Sequence, residues 1–369
     1  MWEFDSIRSF IGRTQATFDD SIVQSVVTGK CVLITGAAGF IGSALARALS
    51  RYAVECLLLL DIAESGLHEL SLELERNGAV AHEEIVGDIC DAALLNEVFD
   101  RHRPKIVLHA AACKHVPLME KNPFAAARTN VLGTQRIADA ATAFGVEELI
   151  LVSTDKAVQP ASMMGATKRI AELTVLASRS ATRMKAVRLG NVWGSTGSVV
   201  PILQRQIAQG GPVTITDAAC TRHFLSIDEA LQRLFSALVL DHASTLYVSE
   251  AGPCCRIVEV AEFLLDCAGV SSGDIEFRFI GLRPGEKISE QMAADEEKLA
   301  STAYGLHQVI ENPGLSSQLL ASAIHEISAA VQSRDLSRLL QAVVSVVPGY
   351  VPSESLRQAS NSAAAASIA

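Results

Sequence analysis

Six short, mainly apolar runs recur between residues 31 and 189, at 31–35, 56–60, 84–86, 106–109, 149–152 and 186–189. Each is strand-length, and the longer ones are apolar enough to be buried on both faces of a sheet. Segments with helical spacing separate them, at 41–52, 65–77, 92–101, 123–144 and 165–179. This alternation predicts an α/β protein built on a Rossmann-type doubly wound parallel sheet, with helices on both faces. After Gly190 the pattern changes. Glycine and proline punctuate the chain at Gly194, Gly197, Pro201, Gly210-Gly211-Pro212, Gly252-Pro253 and Pro284-Gly285, and helices alternate with short strands. A smaller C-terminal α/β lobe closing over the sheet edge is expected. The organisation read from the pattern is a helical preamble over 1–28, a dinucleotide-binding domain over 29–190 and a substrate lobe over 191–352. Some of that lobe's chain is expected to cross back to the sheet. Residues 353–369, rich in serine and alanine, are expected to be a disordered tail.

Composition narrows the classes. Of 369 residues, 49% are hydrophobic and 20% charged, which suits a globular chain rather than a disordered one. A net charge of −10 argues against non-specific nucleic-acid binding. No apolar run approaches the roughly 18 residues of a membrane span, and the N-terminus MWEFDSIRSFIGR lacks the apolar core of a signal peptide. The eight cysteines form no CxxC pair, so a reduced, cytoplasmic setting is expected, with no metal site. The adjacent Cys254 and Cys255 are read as structural. A homo-oligomer is the expected assembly.

The first run feeds Gly36-Ala37-Ala38-Gly39-Phe40-Ile41-Gly42 and then a helical pattern. A strand, a glycine turn and a helix let the backbone approach a pyrophosphate at the helix N-terminus. The second run ends in Asp61, whose carboxylate can accept both hydroxyls of an adenosine ribose and would repel a 2′-phosphate. NAD is therefore expected rather than NADP. Asp88, with Ile89 beside it, follows the third run and is placed near the adenine amino group. Small residues after the fourth run, Ala110 and Ala112, would let the cofactor lie close, whereas His109 reads as a packed strand residue.

The fifth run delivers Ser153, Thr154, Asp155 and Lys156 to a strand's C-terminal end, where open parallel sheets bind ligands. A hydroxyl, a carboxylate and an amine together can move protons. Lys168 follows on a predicted helix. Four residues before it stands Met164, where a dehydrogenase of this architecture would place a tyrosine. An acid and a base without a phenol point away from an ordinary dehydrogenase.

In order along the chain stand GAAGFIGSAL, VGDICD, HAAACKHVPLMEKNP, NVLGT, STDKAVQPASMMGATKR, VRLGNVWGSTGSVVP, TRHFLSIDEA and GLRPGEK. Through these motifs residues 8–352 resemble the extended short-chain dehydrogenase/reductase family. Within it they are most similar to the bacterial polysaccharide-biosynthesis branch, the UDP-N-acetylglucosamine 4,6-dehydratases. Phe10-Ile11-Gly12-Arg13 and Phe18-Asp19-Asp20 resemble the linker that joins a membrane domain to the catalytic domain in long members, so a soluble form or an excised piece is expected. The resemblance implies bound NAD, a UDP-N-acetylhexosamine substrate, and oxidation at sugar C4. Loss of the C5 proton and the C6 hydroxyl follows, then reduction at C6 to a 4-keto-6-deoxy sugar. By the same resemblance, Asp155 is the acid at the C6 hydroxyl and Lys156 the base at C5. Thr154 contacts the 4-hydroxyl, Lys168 holds the nicotinamide ribose, and Met164 takes the tyrosine's place.

For the sugar nucleotide, Asn191 resembles the family's diphosphate contact and Glu286 a ribose contact. Arg205, Arg222 and Arg283 are placed near the phosphates, because guanidinium matches phosphate oxygens bidentately. Val213 and Ile215 are placed along the uracil, and Lys114 and His115 near the sugar. Two other readings stand beside this one. One is a related sugar-nucleotide enzyme, a 4-epimerase or 5,6-dehydratase; the other is a non-catalytic NAD-binding scaffold. The adjacent Asp155 and Lys156 favour dehydration.

Overall fold

The structure, a computed structural model, describes Phe10 and residues 20–78, 80–271, 273–311 and 316–366. Most of the expected preamble lies outside the described residues; within it, Asp20–Val27 is a helix. The strands are β1 (Cys31–Thr35), β2 (Cys56–Asp61), β3 (His82–Val86), β4 (Ile106–His109), β5 (Glu148–Thr154), β6 (Arg183–Leu189), β7 (Asn191–Val192), β8 (Val213–Ile215), β9 (Thr221–Leu225), β10 (Thr245–Ser249), β11 (Cys254–Arg256), β12 (Phe277–Phe279), β13 (Lys298–Ser301) and β14 (Leu306–Glu311).

The main sheet runs β13-β14-β10-β6-β5-β4-β1-β2-β3. From β10 to β3 all neighbours are parallel, and β14 and β13 close the edge as antiparallel strands. The order reverses between β1 and β4, which opens a crevice at the strands' C-terminal ends. The central strands are apolar throughout because both faces are covered. In β1, Val32 and Ile34 enter one core with Leu57, Leu59, Ile106 and Ile150, while Cys31 and Leu33 enter the other with Leu58, Leu60, Val107 and Leu149.

Residues after 190 divide between two bodies. A small lobe holds the sheets β11-β9-β7 and β12-β8 around Trp193, Leu203, Phe224 and Leu264. Helix Ile227–Val239 and strands β10, β13 and β14 return to the main sheet.

Two features depart from the pattern read in the sequence. The 123–144 segment is not one α-helix, because Ala127–Gly133 winds as a π-helix between Pro123–Ala126 and Thr134–Ala143. The tail expected to be disordered forms a helix over Glu354–Ala366. Alanine has the highest helix propensity, and Leu356 anchors the start of this helix in the core at 2% exposure. These two effects outweigh the segment's serine content, which alone points to disorder.

Candidate active site

Gly36 has φ +70°, and a Cβ there would strike the Ala111 backbone 2.6 Å away, so the turn after β1 can lie against the 110–112 segment only as glycine. Helix Phe40–Leu49 then starts at Gly39, which has no side chain to cap it. Its first N–H groups therefore face outward at the positive end of the helix dipole, a fit for a pyrophosphate. Asp61 ends β2. Its carboxylate accepts hydrogen bonds from the Ala38 and Ala63 amides, both at 3.0 Å, which aims it at the glycine turn. These residues fit a dinucleotide with a free ribose.

Asp88 accepts from the Cys90 amide at 2.7 Å and from Arg128 at 2.5 Å. Burial pushes its pKa up, but these two partners win and hold it below the usual range. Ile89 turns its side chain into the core at 3% exposure. Ala110 is half-buried and Ala112 exposed. His109 is fully buried between the hydroxyls of Thr35, 2.6 Å from Nδ1, and Thr134, 3.0 Å from Nε2. Burial and then the Lys168 charge push its pKa down to about 3, so it is a neutral packed residue, as the sequence suggested.

Thr154, Asp155 and Lys156 cluster where β5 ends in the 3₁₀ turn Asp155–Ala157. Asp155 is completely buried. Its Oδ1 accepts from the Thr154 hydroxyl at 2.8 Å and from Lys156 Nζ at 2.9 Å. Its Oδ2 is buried with no hydrogen-bond partner among the described residues. Lys156 Nζ also donates to Asn191 Oδ1 at 2.9 Å, so Asn191 joins this cluster. Helix Met163–Ala177 packs directly on the turn. A Cβ at Gly165 would lie 2.2 Å from the Lys156 carbonyl oxygen, so only glycine allows this approach. Lys168, buried on that helix, donates to the Val152 carbonyl at 2.8 Å. Burial lowers its pKa to about 8, against an upward pull from Glu172.

Met164 is 2% exposed in the apolar cluster under the helix, with Val116, Phe124 and Ile170. Lys114 and His115 are exposed after β4. Crowding by the protein and then the Lys156 cation lower the Lys114 pKa; crowding and then Lys114 lower that of His115. Arg205 is exposed on helix Val199–Ala208. Arg222 spends its guanidinium on the carbonyls of Thr221, Lys287 and Ile288, so it holds the 287–288 loop. Arg283 and Glu286 pair with each other at 2.6 Å. The placement of Val213 and Ile215 along a base needs correcting. Alternation in β8 turns both side chains into the lobe core, at 0% and 1% exposure, and leaves Thr214, bonded to Gln206, on the other face.

Sequence reasoning missed several residues that hold the site. Glu120 accepts from the Met163 amide at 2.6 Å and from Ser353 at 2.5 Å, which joins helix Met163–Ala177 to the C-terminal segment. Asn130, in the π-helix, bonds both Cys113 backbone groups and the Thr167 hydroxyl. Glu172 accepts from Ser153 at 2.7 Å, from Arg169 at 2.9 Å and from Arg188. Lys287 donates to the Val158 carbonyl at 2.9 Å. Only a helix-internal acid or an asparagine amid apolar residues hinted at these, and their partners are distant in sequence.

This sheet order, with its glycine turn and the lysine on the helix after β5, defines a short-chain dehydrogenase/reductase of the extended type. The chain belongs to the polysaccharide biosynthesis protein family, whose pattern matches residues 32–312. It is 41% identical over 299 residues to a probable polysaccharide biosynthesis protein, EpsC, of Bacillus subtilis, covering 80% of this chain and 50% of that one. It is 32% identical over 276 residues to an inverting UDP-N-acetylglucosamine 4,6-dehydratase of Campylobacter jejuni, covering 73% and 79%. A UDP-glucose 4-epimerase of Rickettsia canadensis is 32% identical over 286 residues, covering 75% and 81%. The chain spans about half the length of EpsC and of the Staphylococcus aureus relative CapD. The fold matches a Thermus thermophilus UDP-glucose 4-epimerase solved with NAD, with TM-score 0.61 and 24% identity, over 71% of this chain and 90% of that one. No described helix is long and apolar enough to cross a membrane.

Proposed function

We propose that this chain dehydrates a UDP-N-acetylhexosamine, UDP-N-acetylglucosamine first, to its 4-keto-6-deoxy form with bound NAD. The Gly36–Gly42 turn and Asp61 would hold NAD, which would supply a hydride acceptor and donor at the sugar. One observation carries the reading: the buried Asp155, hydrogen-bonded to Thr154 and Lys156 through Oδ1 and unpartnered at Oδ2.

Elimination needs a neutral acid at the C6 hydroxyl and a neutral amine at C5–H. Moving one proton from Lys156 Nζ to Asp155 across their 2.9 Å hydrogen bond produces both, with no change in proton count. Lys156 then takes the C5 proton while Asp155 gives its proton to the departing hydroxyl, which leaves as water. The ion pair is restored by that step. Thr154 places the 4-hydroxyl, and the Lys168 cation holds the cofactor ribose and favours negative charge at C4 oxygen. Lys114 and Asn191 flank the cluster and hold the sugar. Arg283 and Glu286 are assigned to the nucleotide end, on the loop that Lys287 ties beside the turn.

The test is to incubate the protein with UDP-N-acetylglucosamine and follow the sugar by NMR and NADH by absorbance. A 6-methyl, 4-keto product without net NADH is expected. A 6-hydroxy sugar inverted at C4 would identify an epimerase and remove the acid role of Asp155.

A further inference from the structure

Cys31 and Cys56 open β1 and β2 and stand directly opposite each other in the parallel register. Adjacent strands lie ~4.8 Å apart, inside the Cα separation that a disulfide spans. The two Sγ atoms are 2.7 Å apart, on the same face of the sheet. Cys31 is buried, and Cys56 is half-buried. The Cys56 thiol donates to Cys31 Sγ; burial pushes the Cys31 thiol up, and the half-buried Cys56 is the one a reagent in solution can reach. The pair sits at the ends of β1 and β2 remote from the glycine turn and Asp61, so the dehydration chemistry makes no use of it.

We propose that Cys31 and Cys56 form a thiol–disulfide site, closed by a low-molecular-weight disulfide. The Cys56 thiolate attacks one sulfur of that disulfide, whose S–S bond breaks. One small thiol leaves with the proton Cys56 gave up, and the other half stays on Cys56. Cys31 then attacks Cys56 Sγ, forming the Cys31–Cys56 bond and releasing the second thiol with the Cys31 proton. The protein is oxidised by two electrons, and the small disulfide is reduced to two thiols.

The experiment treats the purified full chain with oxidised glutathione at neutral pH and maps its peptides without reduction. Exposed Cys254 reports that the reagent has reacted. The expected result is a peptide pair joined through Cys31 and Cys56 that disappears with dithiothreitol. In Cys31→Ala a glutathione adduct persists on Cys56, and in Cys56→Ser no cross-link forms at Cys31. Cys56→Ser changes a half-exposed position, so it tests the pair even if Cys31→Ala fails to fold. Glutathione on Cys254 with Cys31 and Cys56 still reduced overturns the proposal, as does a cross-link from either to another cysteine.

Discussion

Asp155 divides its two oxygens: Oδ1 takes the hydrogen bonds from Thr154 and Lys156, and Oδ2 is buried without a hydrogen-bond partner among the described residues. On the proposed reaction, Asp155→Asn removes the acid and Lys156→Ala the base. Each is expected to lower product formation by about 10²–10⁴-fold, the usual worth of a general acid or base. UDP-sugar and NAD binding by calorimetry should survive, and near-wild-type dehydration in both variants would refute the roles. Met164 has no proton to move and sits in an apolar cluster, where a swap to leucine conserves volume and costs less than about 1.5 kcal/mol. Single-turnover rates should fall little in Met164→Leu and steeply in Lys168→Ala and Thr154→Val; a collapse in Met164→Leu like that of Thr154→Val would make the thioether essential. His109 bears on stability. Its folded pKa of about 3 lies below the ordinary 6.5, so the folded state refuses a proton that the unfolded chain accepts. Stability present above pH 6.5 is lost as pH falls toward 3, by about 1.4 kcal/mol per unit. Urea unfolding at pH 7 and 5 should show a shallower loss in His109→Asn, and equal slopes would remove this assignment.

The elements follow from burial, and burial explains which of them the sequence displayed. β1, β2, β4 and β5 were legible because a strand covered on both faces shows as an unbroken apolar run. The Gly36 turn and Thr154-Asp155-Lys156 were legible because each follows such a run directly. The π-helix over Ala127–Gly133 was not, since its register depends on Asn130 reaching Cys113 and Thr167. Nor was the ionic cluster under the catalytic helix. Arg188 on β6 forks between Glu172 and Glu297, which is 109 residues away along the chain, and all three are buried. No local pattern encodes a partner at that distance. Arg188→Met leaves two buried carboxylates with less compensation, and breaking such a cluster costs about 3–5 kcal/mol. Urea denaturation should report a loss of that size; a loss below about 1 kcal/mol would show that the carboxylates find other partners.

At the scale of the molecule, the small lobe is tied to the turn that carries Asp155 and Lys156. The C-terminal helices Ser317–Ser333 and Leu336–Val346 cover the catalytic helix through Leu320, Ile327, Leu339 and Val343. Lys287 reaches from the 281–290 loop to the Val158 carbonyl. Arg222 fastens that loop to β9, and Asn191, at the exit toward the lobe, holds Lys156. The lobe therefore cannot swing away without pulling on the turn that carries Asp155 and Lys156. In the proposed reaction, which runs in two halves, that linkage would govern leakage. On the proposed reaction, the Lys287 strap to the Val158 carbonyl would keep a sugar oxidised at C4 but not yet dehydrated in place, and Lys287→Ala is expected to let it escape. Quenched reactions of this variant should then contain free 4-keto sugar that still bears its 6-hydroxyl, together with NADH left behind in the protein. If neither accumulates, containment of the half-finished sugar rests on the lobe's fit around the nucleotide and not on that one ammonium.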